Sequence, residues 1–278
     1  MTLRRLGFLV PILLSAAIPA IAQNTVHTGA RLVVPDGTLY TDNTLGPSVR
    51  WFSTNVHAGH SYVVEAFNSD DGLPTNAIQI ALYENDGSTN FSVANTSGCG
   101  GATAGPSLSG STDQVSDGTR CFLSPGIAGF PFRVVKIKAS QADQGPPATG
   151  AACQSCKFRI RIRETTILSR WSVNGYNMFV AIHNPDNFFA LTATVLYYPD
   201  NPVDANDFVA SDTITLTRFG TIQFVRNSLS LTPNHGSLHI LIQGVDADVQ
   251  TYAYSTTAGT FNVFTPFRPN HGAANTVN

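Results

Sequence analysis

Lys157-Phe158-Arg159-Ile160-Arg161-Ile162-Arg163 alternates a cation with an apolar residue over its whole length. Successive side chains of an extended chain point to opposite faces. Phe158, Ile160 and Ile162 therefore line one face, and Lys157, Arg159, Arg161 and Arg163 line the other. That is a half-buried β-strand, and its period organises the rest of the chain. Upstream, similar runs fall at Ala30–Val34, Val49–Val56, Ser61–Phe67, Ile78–Tyr83 and Phe132–Ala139. Between Asn85 and Gly129 the alternation fades into a long polar insert that carries cysteines. Downstream, past Thr165 to Arg170, the runs become evenly spaced: Ser169–Val173, Met178–His183, Leu191–Tyr198, Val209–Leu216, Thr221–Val225, Ser237–Ile242 and Val249–Tyr254. Seven short strands with turn residues between them, in about 100 residues, follow the immunoglobulin-like pattern. No segment sustains a helical period. The pattern predicts an all-β protein of two β-sandwich domains, jelly-roll-like over 23–166 and immunoglobulin-like over 167–270, with a flexible tail at 271–278.

The first 22 residues read differently. Arg4 and Arg5 precede an apolar run from Leu6 to Ile18, and Ala20-Ile21-Ala22 places small residues where a signal peptidase reads. The run falls short of the about 20 apolar residues of a membrane span. Residues 1–22 are thus expected to be a secretory signal peptide cleaved before Gln23, which places the mature chain outside the cytoplasm, extracellular or periplasmic. No second apolar run reaches spanning length, so no membrane span is expected after cleavage. Charged residues are only 12% of the chain and the formal charge is −2, a mildly acidic balance that argues against a nucleic-acid partner.

Four cysteines fit export. Cys99 and Cys121 flank a Gly/Ser/Thr-rich stretch, and Cys153 and Cys156 form a C-x-x-C. Four cysteines allow three pairings, and the favoured one is Cys99–Cys121 with Cys153–Cys156. A four-cysteine zinc site usually takes two close pairs, and only one pair is close here. A redox C-x-x-C belongs at a helix start after a strand, and this one sits among Gly and Pro.

The sharpest positional signal is basic. Arg133, Lys136, Lys138, Lys157, Arg159, Arg161 and Arg163 are seven of the chain's 16 Lys and Arg residues. If runs 132–139 and 157–163 pair as a hairpin, Lys136, Lys138, Lys157, Arg159, Arg161 and Arg163 form a strip able to bind an anion such as an acidic glycan. Like charges side by side destabilise a sheet, so carboxylates on neighbouring strands or solvation are the plainer partners. The acidic turns Asp70-Asp71-Gly72, Asn85-Asp86-Gly87 and Asp200 to Asp207 offer oxygens for calcium, although Asp, Asn and Gly also make ordinary turns. His57, His60, His183, His235 and His239 lie at turns or strand ends. His235 and His239, four apart in a strand, stand about 13 Å apart and cannot share a metal. No G-x-S-x-G and no H-E-x-x-H occurs. Trp51, Phe52, Tyr62, Phe188, Phe189, Tyr197 and Tyr198 are enough for a sugar-stacking platform, and they are also what a sandwich core requires.

Two further stretches carry a family likeness. Val49-Arg50-Trp51-Phe52-Ser53-Thr54-Asn55-Val56-His57-Ala58-Gly59-His60-Ser61-Tyr62-Val63-Val64 resembles the strand, Ala-Gly turn and strand that open bacterial pre-peptidase C-terminal domains. Ile80-Ala81-Leu82-Tyr83-Glu84-Asn85-Asp86-Gly87 resembles that family's Leu-Tyr strand and glycine turn, and Lys157 to Glu164 resembles its closing strand. The likeness covers residues 30–165, interrupted by Cys99 to Gly129. It implies a jelly-roll-like accessory domain of secreted proteins, with no catalytic residue to carry over. The sequence thus predicts a secreted, non-catalytic protein that binds a glycan or other envelope proteins, or builds an envelope. The alternatives are a carbohydrate-binding module, which requires coplanar exposed aromatics, and a β-rich secreted hydrolase, which requires two close carboxylates in a cleft.

Overall fold

The structure is a computed structural model that describes residues 24–44, 49–68, 78–89, 91, 118–123, 132–141, 156–173, 175–186, 190–226, 232–244, 247–255 and 257–269. The signal segment, Cys99, Cys153, Asp70, Asp71, Phe188, Phe189 and the tail 271–278 lie outside the described residues.

Among the described residues, every element apart from one 3-10 turn at His27–Gly29 is a strand. The first half contains β1 (Arg31–Leu32), β2 (Tyr40–Thr44), β3 (Arg50–His57), β4 (Tyr62–Asn68), β5 (Ile78–Tyr83), β6 (Gly118–Leu123), β7 (Phe132–Gln141) and β8 (Cys156–Glu164). They form two sheets, β1-β3-β7-β5 and β2-β8-β4-β6. All pairs are antiparallel except β1 with β3. Phe52 of one sheet meets Phe158 of the other edge to face, with ring centroids 6.0 Å apart. Around this pair Val56, Tyr62, Val64, Ile80, Leu123, Val135, Ile137, Ile160 and Ile162 close a dry core.

The second half contains β9 (Ile167–Ser172), β10 (Asn177–His183), β11 (Leu191–Pro199), β12 (Ala210–Leu216), β13 (Thr221–Arg226), β14 (His235–Gln243), β15 (Asp248–Ser255) and β16 (Thr260–Phe264). They form sheets β12-β11-β14-β9 and β13-β10-β15-β16. Trp171, Met178, Val180, Ile182, Ala193, Val195, Tyr197, Leu238, Ile240 and Ala253 fill a separate core. The indole N–H of Trp171 donates to the Tyr198 carbonyl at 2.8 Å, which satisfies the ring's one polar atom inside that core.

The alternation read from the sequence recurs here: β10 buries Met178, Val180 and Ile182 and leaves Phe179, Ala181 and His183 half-buried. With β9 to β15 named A to G, the B–E and C–F pairs of the immunoglobulin plan are present as β10–β13 and β11–β14. The flanking strands differ: β12 and β9 join the C–F sheet, and β15 joins β10, with β16 added outside it.

The basic hairpin does not form. β7 pairs with β3 and β5, whereas β8 pairs with β2 and β4, so the two runs lie in different sheets. Lys136 and Lys138 alternate with core residues Val135, Ile137 and Ala139, while Arg159 and Arg161 alternate with Phe158, Ile160 and Ile162. Each cation row therefore points away from the shared core, to opposite outsides of one sandwich.

The sandwiches meet at the turn between β3 and β4. Ser61 donates its amide to the Thr166 hydroxyl at 2.8 Å, and its hydroxyl accepts from the Ile242 amide at 2.9 Å. The Thr165 hydroxyl lies 2.7 Å from the Ile242 carbonyl and 3.0 Å from Ser61 Oγ. All three residues of the first half are buried. Gly59 sits there at φ +72, and an added Cβ would stand 3.0 Å from the Tyr198 hydroxyl oxygen.

Candidate ligand-binding face

The basic strand is held from within. Glu65 of β4 is fully buried on the outer side of its sheet. Arg161 Nε donates to its Oε2 at 2.6 Å and Arg163 Nε to the same oxygen at 3.1 Å. Cross-strand register places Glu65 directly between Arg161 and Arg120. Like cations along one strand are thus offset by a carboxylate on the neighbour. The Lys157 side chain lies outside the described residues.

Three of the five histidines singled out in the sequence, His57, His60 and His239, gather at the sandwich junction, whereas His183 bonds Thr221 and His235 meets Asp200. His60 Nδ1 is 2.5 Å from Glu164 Oε1, and His239 Nδ1 is 3.3 Å from the Gly59 carbonyl. The His60 ring lies 5.8 Å from His57 and 5.4 Å from His239. Burial, reinforced by His60, lowers His239 to a pKa of about 4 against the Gly59 hydrogen bond. The sequence placed these histidines in separate turns and strands and gave no sign that β14 brings His239 to them. Among the described residues, no group of three His, Cys, Asp or Glu side chains is placed to hold a metal ion.

The acidic loops act on their own backbones. Asp86 accepts from the Ser88 and Thr89 amides and from the Thr89 hydroxyl, and these bonds, the hydroxyl's first, hold its carboxyl at about 2. In the 200–207 loop, Asp207 Oδ2 accepts from the Val203 and Asp204 amides, and Asp204 Oδ1 accepts from the Asn206 amide at 2.6 Å. These are the Asx bonds of ordinary turns. Asp200 instead meets His235 at 2.8 Å. Cys121 is fully buried in the first core and disulfide-bonded. The Cys156 side chain lies outside the described residues.

None of the aromatics singled out in the sequence that the structure describes is exposed. Trp51, Phe52, Tyr62, Tyr197 and Tyr198 are all buried. Trp51 faces outward from its sheet, but His27 and Tyr83 pack on it at 5.9 and 5.4 Å. Tyr198 also faces outward, and the 200–208 loop covers it: its hydroxyl donates to the Ala205 carbonyl at 2.7 Å. Phe208 and His239 pack on its ring.

Of the exposed aromatics Phe219, Phe261 and Phe267, Phe261 lies on the outer face of sheet β13-β10-β15-β16, where it joins three half-buried rings. Register aligns Val225, Phe179, Tyr252 and Val263 in one row across all four strands. The next row holds Asn177, Tyr254 and Phe261. Phe179 stacks on Tyr252 with centroids 4.7 Å apart and planes 6° from parallel. Phe261 touches both tyrosines, at 4.7 Å from Tyr254 and 6.1 Å from Tyr252. Four rings thus form one continuous cluster. Its margins are open: Val225 is 45% exposed, Phe261 63% and Val263 78%.

Three of the polar groups on this face, Asn177, Gln223 and Gln250, are neutral amides. Gln223 Nε2 donates to the Tyr252 hydroxyl at 3.1 Å. Gln223, Ala181 and Gln250 form the adjoining row, and Thr221, His183 and Asp248 the one after it. Asp248, at the far end, is the one carboxylate in these rows. The face offers apolar ring surface beside amide donors and acceptors, in a field with little charge. Compared with known proteins, the chain matches no family model and no curated protein.

Proposed function

We propose that the protein is a secreted, non-catalytic binding protein, and that its ligand is a neutral glycan held on the outer face of sheet β13-β10-β15-β16. The observation that carries this reading is the outward-facing cluster of half-buried Phe179, Tyr252 and Tyr254 with exposed Phe261, flanked by exposed Val225 and Val263. Exposed apolar patches of this kind mark contact surfaces. Sugar rings present apolar C–H faces and hydroxyl rims, which suit aromatic rings flanked by Gln223, Gln250 and Asn177. The scarcity of charge favours a neutral chain over an acidic one. Other outward aromatics, such as Trp51 and Tyr198, are already covered by the protein itself. The likeness of residues 30–165 to pre-peptidase C-terminal domains supports an accessory, scaffold-like first half.

The test is depletion of the purified protein from solution by neutral polysaccharides of several backbones, with Tyr254→Ala and Phe261→Ala as variants. Central aromatic contacts carry much of such binding energy, so each variant should weaken binding at least tenfold. Binding should persist at high salt, because the contacts are uncharged. Failure to bind any neutral polysaccharide, or binding only to acidic ones that salt abolishes, would overturn the reading and return attention to the basic strand.

We also propose the pairing Cys99–Cys121 and Cys153–Cys156, which register supports. Cys121 stands opposite Val64, and Val64 opposite Ile162. Cys156 lies six residues along β8 from Ile162, about 20 Å away along the strand. Cys153 is three residues farther along the chain, which reaches at most about 11 Å. A disulfide requires Cα atoms within about 7 Å. Cys121 is thus out of reach of both, and Cys99 remains. Non-reduced peptide mapping should recover the Cys99–Cys121 crosslink, and a Cys121–Cys153 peptide would refute it.

A further inference from the structure

Among the described residues, β16 is an edge strand without the usual protection. It pairs with β15 alone, and no other described residue hydrogen-bonds its outer side. An open edge presents a row of amide and carbonyl groups that another strand can complete, and natural proteins block it with charge, proline or a cover. The other edges show such devices: β2 carries Asp42, β6 Arg120, β9 Arg170, β12 Asp212 and β13 Arg226. Edge strand β5 has no charge, but its Leu82 carbonyl accepts from the Phe91 amide at 3.0 Å. β16 reads Thr260-Phe261-Asn262-Val263-Phe264, with neither charge nor proline.

We infer that β16 pairs with β16 of a second copy of this chain, antiparallel about a two-fold axis through Asn262. The strand is self-complementary in that register. Phe261 falls opposite Val263 of the second copy, and Val263 opposite Phe261 of the second copy. These two aromatic–β-branched pairs are favourable across strands, and they meet on the exposed face. Asn262 meets its own equivalent, and no like charges are brought together. The two-fold axis stands perpendicular to the sheet, so both copies keep the same face outward. The dimer therefore carries a continuous eight-stranded sheet in which the Val225–Phe179–Tyr252–Val263 row of one copy continues into the Phe261–Tyr254–Asn177 row of the other. Pairing occupies the edge and leaves the face open, so it is compatible with glycan binding and does not depend on it. One five-residue edge is small against the about 1,200–2,000 Å² of stable interfaces, so the dimer forms reversibly with concentration.

The experiment is sedimentation equilibrium of the full mature chain from micromolar to near-millimolar concentration, for the native protein and Val263→Lys. Val263 is 78% exposed, so the variant should fold, and circular dichroism with thermal melting of the dilute protein verifies this. A reversible monomer–dimer equilibrium whose dissociation constant rises at least tenfold in Val263→Lys is the expected result. A strict monomer throughout, or a dimer indifferent to Val263→Lys, overturns the inference. Asn262→Cys adds a second readout: mild oxidation should link two copies through position 262, and no crosslink at concentrations where the dimer forms refutes the register. A dimer that binds no polysaccharide would overturn the proposed ligand and leave this inference standing.

Discussion

Replacing Glu65 with Ala removes the carboxylate that holds Arg161 and Arg163 on the outer side of sheet β2-β8-β4-β6. Glu65 is fully buried, and the two arginine side chains are 28% and 23% exposed, so the pair is shielded on the acid side and partly hydrated on the base side. Breaking a buried pair by removing one partner costs about 3–5 kcal/mol, because the remaining charge is left uncompensated. Partial exposure of the arginines lets water recover some of that, so the lower end applies, about 3 kcal/mol. Urea m-values of about 1–3 kcal/mol/M turn this into a midpoint shift of about 1–3 M. Arg161→Gln alone should cost less, because Arg163 still donates to the same oxygen. The assay is urea unfolding of native protein, Glu65→Ala, Arg161→Gln and the double variant. The two substitutions should be non-additive, since they share one contact. The penalty should also survive high salt, because screening acts weakly on buried pairs. A loss below about 1 kcal/mol for Glu65→Ala, or full additivity in the double variant, would refute the reasoning and make this strand a plain solvated face.

Two further outcomes follow from other contacts. His239 has its folded pKa lowered to about 4 from an unfolded value near 6.5, so the unfolded chain binds the proton more tightly. Its contribution is full above pH 6.5 and is lost as pH falls toward 4, by at most about 3 kcal/mol; thermal melts across pH 4–8 should show this slope, and His239→Gln should flatten it, so an unchanged slope counts against the burial account. Gly236→Ala would place a Cβ 1.9 Å from the Tyr198 carbonyl oxygen in the partner strand, a backbone atom that cannot swing aside. It should destabilise by more than 2 kcal/mol by the strain of overpacking, against a near-neutral Gly175→Asn, where a Cβ meets nothing within 4 Å and the φ of +70 suits asparagine; equal losses in urea unfolding would contradict the clash.

Alternation made thirteen of the strands readable, because a strand with one dry face must repeat every two residues. The strands it missed lacked that contrast for separate reasons. β2, Tyr40-Thr41-Asp42-Asn43-Thr44, is polar because its Asp42 accepts from Arg50 and Asn24 and does not face solvent as the sequence suggests. β6 sits at the end of the polar insert, where flanking Gly and Ser outweigh the short run Cys121-Phe122-Leu123. β16 puts its large residues on both faces, with Phe264 against the second core and Phe261 and Val263 toward solvent. Local pattern cannot report which strands pair, and the basic hairpin failed for that reason. Runs 132–139 and 157–163 each have the right period, but their partners come from β3, β5, β2 and β4, far away in sequence.

The outward aromatic cluster was hidden by a reversal of the usual rule. In β15 the sequence Thr251-Tyr252-Ala253-Tyr254 offers one face of tyrosines and one of small residues, and hydrophobicity assigns the tyrosines to the core. The fold buries Thr251 and Ala253 instead. Trp171, from the opposing sheet, occupies the same core as Ala253, and interiors pack at fixed density, so a large ring on one side is matched by a small side chain on the other. The Thr251 hydroxyl is matched as well, 2.6 Å from the Ser169 hydroxyl of β9. With the core side of β15 committed to small residues by its partner strand, the period of two forces Tyr252 and Tyr254 outward, and β10 and β16 place Phe179 and Phe261 beside them. An outward aromatic cluster thus accompanies a core side of β15 built from small residues. That side meets residues about eighty positions away, which no window of local sequence contains.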